Sequence, residues 1–126
     1  MSISVTLLYG GLNVLLVTAL GMNVSRMRGV LKAGLGQVPE GLVRPVRAHG
    51  NAAEWAPLGI FGLLLLELAG VGSLALHLLG GGFLLGRVLH AAGVLLKTPL
   101  SAAAAGLNYL TLAVMGGWAV WLHFVH

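Results

Sequence analysis

The chain has 126 residues, of which 58% are hydrophobic and only 8% are charged. A soluble domain keeps roughly a quarter of its residues charged to hold its surface in water. Seven basic and three acidic side chains cannot supply such a surface. The composition therefore excludes a soluble globular fold and indicates an integral membrane protein. The absence of cysteine excludes disulfides, protein thiolate nucleophiles and cysteine-based metal sites.

Four apolar runs are long enough to cross a bilayer, since a spanning helix needs about 20 apolar residues. We expect spans at residues 3–24, 46–68, 74–96 and 102–124. They predict an all-α integral membrane protein, a four-transmembrane-helix bundle that forms a single domain of residues 1–126. These spans leave no room for a soluble catalytic domain, so any chemistry must lie among the helices. So small a chain has little interior, which favours an oligomer with sites between subunits.

The first run has no basic segment before it and no small-residue cleavage site after it. We therefore interpret it as a retained first span rather than a signal peptide. Asn13 and Asn23 interrupt its apolar sequence, and we expect them to bond to neighbouring helices. The run ends at Arg26 and Arg28, and a polar loop containing Lys32 follows.

The second helix is expected to start near Arg44-Pro45, because proline is tolerated in a first helical turn. It runs to about Leu68, and Pro57 inside it predicts a kink. The glycines at Gly70 and Gly72 mark its end.

Two helices carry polar stripes. Arg47, Asn51 and Glu54 are spaced at i, i+4 and i+7 in the second helix, so they share one face. The third helix places Arg87 and His90 at i and i+3, again on one face. Because these helices are antiparallel, the two stripes reach a similar depth from the same side of the membrane.

The depth of Arg87 requires a partner for its charge. It lies ~15 Å along the helix from Lys97, and an arginine at the centre of a span costs about 2.5–3.5 kcal/mol on insertion scales. Glu54 is the expected partner. Two interpretations stay open: a structural Arg–Glu pair between helices two and three, or a polar pocket that attracts a ligand with carboxylates.

The third and fourth spans add fewer candidate residues. Four glycines of the third span are expected to permit close helix contact: Gly80, Gly81, Gly82 and Gly86. The span ends at Lys97-Thr98-Pro99. In the fourth span, Asn108 and Tyr109 have no role that the sequence identifies, and His126 at its end is expected to be solvated.

The distribution of basic residues predicts the orientation. They concentrate in the first loop and its flanks (Arg26, Arg28, Lys32, Arg44 and Arg47), Lys97 lies in the third turn, and the second turn has none. The positive-inside rule places the first and third loops in the cytoplasm and both termini on the opposite side. The net charge of +4 is therefore a topology signal, and we expect no nucleic-acid partner.

The segment Arg47-Ala-His49-Gly-Asn51-Ala-Ala-Glu54, leading to Pro57, resembles the R-A-x-x-N-x-x-E-x-x-P segment of the MAPEG proteins. These are the membrane-associated proteins of eicosanoid and glutathione metabolism. Arg87-Val-Leu-His90 resembles their helix-three R-x-x-[HY] element. The resemblance extends over the whole chain. It implies a homotrimer that binds glutathione as a co-substrate between subunits, with lipophilic small molecules or lipids as further partners and no metal. We expect the membrane to be a bacterial inner membrane.

The resemblance also implies site residues. Glutathione binding is carried over to Arg26, Arg47, His49, Asn51, Glu54, Trp55, Arg87 and His90. The candidate catalytic residues are Arg87 and Lys97, as stabilisers of the glutathione thiolate. The implied reaction is a glutathione transferase or peroxidase reaction, in which the thiolate attacks a lipophilic electrophile.

Two positions depart from the family's pattern. Relatives that activate the thiol often carry an arginine at the start of helix four, whereas residues 98–103 contain none and Ser101 stands at the matching position. Val94 stands where many relatives have a tyrosine.

Whether the chain is an enzyme therefore stays open. The alternative is a non-catalytic protein of the same fold, either an accessory subunit or a lipid-binding module. A small transporter is disfavoured, because the charges form no path across the membrane.

Overall fold

The computed structural model describes residues 2–125, so the expectation for His126 lies outside the described residues. It consists of α1 (Ser4–Leu31), α2 (Glu40–Leu68), α3 (Ser73–Leu96) and α4 (Leu100–Val125), with no strand among the described residues. All four helices are long and apolar enough to cross a membrane. The predicted all-α bundle with four spans is confirmed, and the protein is a multi-pass integral membrane protein.

The helices extend beyond the apolar runs on the side of the α1–α2 loop. The second helix begins at Glu40, after the extended residue Pro39, so the expected start near Arg44-Pro45 was wrong. Pro45 lies inside the helix, where its missing N–H would leave the carbonyl of Gly41 without a partner. That loss is tolerable because Gly41 is exposed.

The α1–α2 loop is held by side chains of its own segment. Arg28 Nη1 donates to the carbonyl oxygens of Gly34 (3.1 Å) and Gln37 (2.8 Å). The Gln37 side chain accepts a hydrogen bond from the backbone N–H of Gly34 at 2.8 Å. These bonds order the loop and fix where α2 begins.

Helices α2 and α3 form the central pair of the bundle. Helices α1 and α4 each pack against both of them, and within residues 2–125 they make no contact with each other. The buried apolar side chains form two groups, one at the end of the bundle where α2 turns into α3 and one toward the other end. The first contains Leu63, Leu66 and Phe83, and the second contains Leu20 and Ala91.

Glycines of α3 lie where neighbouring helices come closest. A Cβ atom at Gly80 or Gly81 would meet the Tyr9 side chain, one at Gly82 would meet Thr111, and one at Gly86 would meet the Asn108 amide. The expected role of these glycines in close helix contact is confirmed.

Polar groups of α1 bond differently from the expectation. Asn13 Nδ2 donates to the carbonyl of Tyr9 one turn earlier (2.8 Å), and Asn23 Oδ1 accepts from Arg26 (2.9 Å). The expectation that Asn13 and Asn23 bond to neighbouring helices was wrong.

The hydrogen bonds between α1 and α2 come instead from Glu67, whose carboxylate accepts the backbone N–H groups of Val5 (2.9 Å) and Thr6 (2.7 Å) at the start of α1. A carboxylate at a helix N-terminus satisfies donors that have no partner inside the helix.

Candidate functional site

A buried arginine joins three helices at the centre of the bundle. Arg87 of α3 is 3% exposed. Its Nε donates to Asn108 Oδ1 of α4 at 2.7 Å, and its Nη1 donates to Asn51 Oδ1 of α2 at 2.7 Å and to the Asn51 carbonyl at 3.3 Å. Asn108 Nδ2 donates in turn to the carbonyl of Phe83 at 2.9 Å. We call Asn51, Arg87 and Asn108 the polar core.

The expected ion pair between Arg87 and Glu54 is absent. Glu54 is exposed on α2, and within residues 2–125 the hydrogen bonds of Arg87 go to Asn51 and Asn108 instead. Amide oxygens satisfy the guanidinium without taking a carboxylate out of water, which is the large cost of a buried ion pair. The polar core therefore keeps an uncompensated positive charge, and Glu54 is left on the surface of the subunit.

Three aromatic residues lie beside the polar core. His90 is half-buried one turn after Arg87. The ring of Trp55 on α2 packs edge-on against Tyr109 of α4, with centroids 5.3 Å apart. Trp55 lies one turn after Asn51 on α2 and His90 one turn after Arg87 on α3, so each is a helical neighbour of a polar-core residue.

A cavity of about 870 Å³ lies between the start of α2 and the α3–α4 turn. Three basic side chains line it, Arg44, Arg47 and Lys97, and we call it the basic cavity. Glu40 is the acidic residue of its lining, so the cationic groups exceed the anionic ones by two.

The geometry of the basic cavity is fixed at two points. Arg44 Nη1 donates to the carbonyl of Val94 at 3.0 Å, near the C-terminus of α3. Gly93 lies directly against the backbone of Ser101, where a Cβ atom would overlap it. The contact brings the end of α3 close to the start of α4 and places Ser101 in the cavity lining. Val94 also lines the cavity, so both positions that depart from the family's pattern lie in it.

The structure separates two of the predicted site residues from this region. His49 packs against Gly21 on the α1 side of α2. Arg26 is exposed on α1 and bonds to Asn23. Within a single chain, neither reaches the basic cavity or the polar core. No group of three His, Asp or Glu residues among residues 2–125 could hold a metal ion.

Asn108 and Tyr109 are the residues whose role the sequence did not identify. Asn108 is 1% exposed and completes the polar core. The available signal was an amide in the middle of an apolar span, since such side chains face the bundle interior. The sequence contained that signal but no indication of which helix would supply the partner.

The sequence matches the MAPEG family over residues 6–121. It is also similar to the inner membrane protein YecN of Escherichia coli K12, with 32% identity over 87 residues. The same protein of Escherichia coli O6:H1 strain CFT073 matches equally. Each match covers 68% of this chain and 66% of the relative's length. The family match includes the polar core and the basic cavity.

Proposed function

The chain belongs to the MAPEG family, and on that premise we propose that it is a membrane-bound glutathione-binding protein. In this proposal it acts as a glutathione transferase or peroxidase on lipophilic electrophiles. Glutathione supplies the nucleophilic thiolate, which the chain itself lacks because it has no cysteine. The electrophile enters from the surrounding lipid.

The observation that carries this proposal is the uncompensated positive charge of the polar core, whose Asn51 lies one helical turn along α2 from Arg47 of the basic cavity. Glutathione has two carboxylates, one ammonium group and one thiol. Arg47 and Lys97 suit the carboxylates, since charge-assisted bonds to carboxylate are among the strongest hydrogen bonds. Glu54 lies two turns after Arg47 on the same face of α2 and suits the ammonium group.

Ionisation of the thiol is the chemical step that these cations favour. A free thiol has a pKa of about 8.5, and a neighbouring cation lowers it. Within residues 2–125 the hydrogen bonds of the Arg87 side chain use Nε and Nη1. In this proposal its Nη2 therefore stabilises the thiolate, and the ammonium group of Lys97 is the second candidate for that role. The thiolate then attacks the electrophilic carbon, a carbon–sulfur bond forms, and the leaving group departs with the electron pair of its bond. The thiol proton passes to water.

Exposure of charges on the membrane helices supports a homotrimer with sites between subunits. Glu54 is exposed on the single chain, about 10 Å along α2 from Arg47. Leaving a carboxylate against lipid is costly, and a neighbouring subunit would cover it. The neighbour would also bring its own α1, and Arg26 with it, to a site that one chain builds only in part.

A second candidate, a non-catalytic protein of the same fold, is favoured by the bonding of Arg87. Two of its three nitrogens are committed to Asn51 and Asn108, as in a residue that holds helices together. The start of α4 offers Ser101 and no arginine. In this case glutathione or a lipid binds without turnover.

Calorimetry and turnover on the purified protein separate these candidates. We expect glutathione to bind, Arg47→Ala to weaken binding roughly ten-fold or more, as expected for loss of a charge-assisted bond, and Glu54→Ala to weaken it as well. Catalysis is measured as the conjugation of glutathione with an electrophilic aryl halide. The absorbance of the thiolate measures ionisation of the bound thiol. Light scattering of the same sample should give the mass of three 13.0 kDa chains.

The matched control is Lys32→Gln, because Lys32 is an exposed cation outside the basic cavity. It should leave both binding and conjugation unchanged. Glutathione binding without conjugation would select the non-catalytic candidate. If the wild-type protein binds no glutathione, the proposal is wrong.

A further inference from the structure

The basic cavity lies at the end of the bundle where lipid head groups meet the protein. Its cations are exposed, and they lie in the first turns of α2 and just after the end of α3. Its lining also includes the apolar side chains of Val94 and Leu95. An occupant would therefore meet cations at the rim and hydrocarbon beside them.

The donors of the cavity suit an anion with several acceptor oxygens. The lining contains three cations and one carboxylate: Arg44, Arg47, Lys97 and Glu40. The bond from Arg44 to the carbonyl of Val94 holds its guanidinium in place, which lowers the entropy lost on binding.

We propose that the basic cavity binds a phosphate-ester anion, supplied by the head group of an anionic phospholipid from the leaflet on the side of the α1–α2 loop. Basic pockets between transmembrane helices recognise such head groups, and the planar donors of arginine match phosphate oxygens. This inference goes beyond the proposed function because it requires no thiol. The two ligands would nevertheless compete, since both use Arg47 and Lys97.

The test measures the thermal unfolding midpoint of the full chain in a neutral detergent as phospholipid is added. Phosphatidylglycerol should raise the midpoint saturably, and phosphatidylcholine should not. Glycerol 3-phosphate at the same phosphate concentration distinguishes the sources. A smaller rise identifies the lipid as the ligand, and an equal rise identifies a soluble phosphate ester. Equal effects of phosphatidylglycerol and phosphatidylcholine would overturn the proposal.

Two lysines provide a matched pair of variants. Lys97 and Lys32 each follow the last residue of a helix with a left-handed backbone, at φ of 59° and 52°, and both are exposed. Only Lys97 lines the basic cavity. Lys97→Gln should weaken phosphatidylglycerol binding about five-fold, the fold-change for one cation near an anionic head group, and Lys32→Gln should leave it unchanged.

Equal weakening in both variants would mean general attraction to the membrane surface and would refute the site. Added glutathione separates this inference from the proposed function. If glutathione reduces the effect of phosphatidylglycerol, both ligands use the cavity. If it does not, glutathione does not occupy the cavity, and head-group binding is still supported by the difference between Lys97→Gln and Lys32→Gln.

Discussion

Arg87 is 3% exposed, yet the groups that accept its hydrogen bonds are amide oxygens of Asn51 and Asn108. A buried carboxylate partner would have to lose its own hydration, whereas an amide loses far less. The amides also hold the guanidinium to α2 and α4 at once. The charge of Arg87 is therefore not neutralised by a carboxylate, and Glu54 stays exposed on the surface of the subunit.

Asn108→Leu should destabilise the protein by about 3 kcal/mol, because it leaves the buried Arg87 Nε–H without its partner and removes the second hydrogen bond to the Phe83 carbonyl. The free energy of unfolding in one detergent measures the loss. The control is Asn13→Leu, since Asn13 is also 1% exposed. Its Oδ1 has no partner among residues 2–125, and its Nδ2 bonds within α1, so the loss should be about 1 kcal/mol or less. Equal losses in the two variants would contradict the role given to the polar core.

At the scale of the helices, the polar core depends on how closely α2, α3 and α4 approach. Gly59 of α2 lies against the ring of Phe83 in α3. Gly86 of α3 leaves room for the Asn108 amide from α4. Without these glycines the helix axes would lie further apart, and side chains as short as asparagine could not reach Arg87.

Gly59→Ala should destabilise the bundle by about 1–3 kcal/mol, because the added methyl group overlaps the buried ring of Phe83. Gly116→Ala is the matched control. Gly116 lies in α4 with open space around its Cβ position, so the change should be neutral or slightly stabilising through the lower entropy of the unfolded chain. Unfolding of both variants in the same detergent provides the comparison. A loss in Gly116→Ala as large as that in Gly59→Ala would point to an effect of glycine content rather than of packing.

At the scale of the whole molecule, the orientation of the chain in the membrane decides the side to which the basic cavity opens. The basic cavity lies at the end of the bundle that holds the α1–α2 loop and the α3–α4 turn. Those two connections, together with the end of α1 and the start of α2, carry six of the seven lysine and arginine residues of the chain. The positive-inside rule then predicts that the cavity opens to the cytoplasm.

A pair of single-cysteine variants tests this orientation in a chain that has no cysteine of its own. Leu35 is 98% exposed in the α1–α2 loop, and Ser73 is exposed at the start of α3. In intact cells, a membrane-impermeant maleimide should label Ser73→Cys and should not label Leu35→Cys. Labelling of both after membrane disruption is the control for reactivity. The opposite pattern in intact cells would reverse the topology and place the basic cavity outside.

Sequence by itself determined the fold class and the helices that carry the site. Long apolar runs and a charge fraction of 8% allow few structures besides a membrane helix bundle, because every backbone polar group must be satisfied inside lipid. The spacing of Arg47, Asn51 and Glu54 also placed them on one helix face, since that depends only on the helical repeat. The match to the MAPEG family bears out the resemblance found in the two motifs.

Only the tertiary structure decided which groups meet. The partner of Arg87 depended on distances between helices, which glycine contacts set and helical periodicity does not encode. The sequence favoured Glu54 by charge, whereas the packing brought Asn51 and Asn108 within 2.7 Å. The basic cavity likewise required Gly93 to draw the start of α4 against α3. In the bundle that the four predicted spans form, no carboxylate compensates the charge of the central arginine, because packing placed neutral amides beside it.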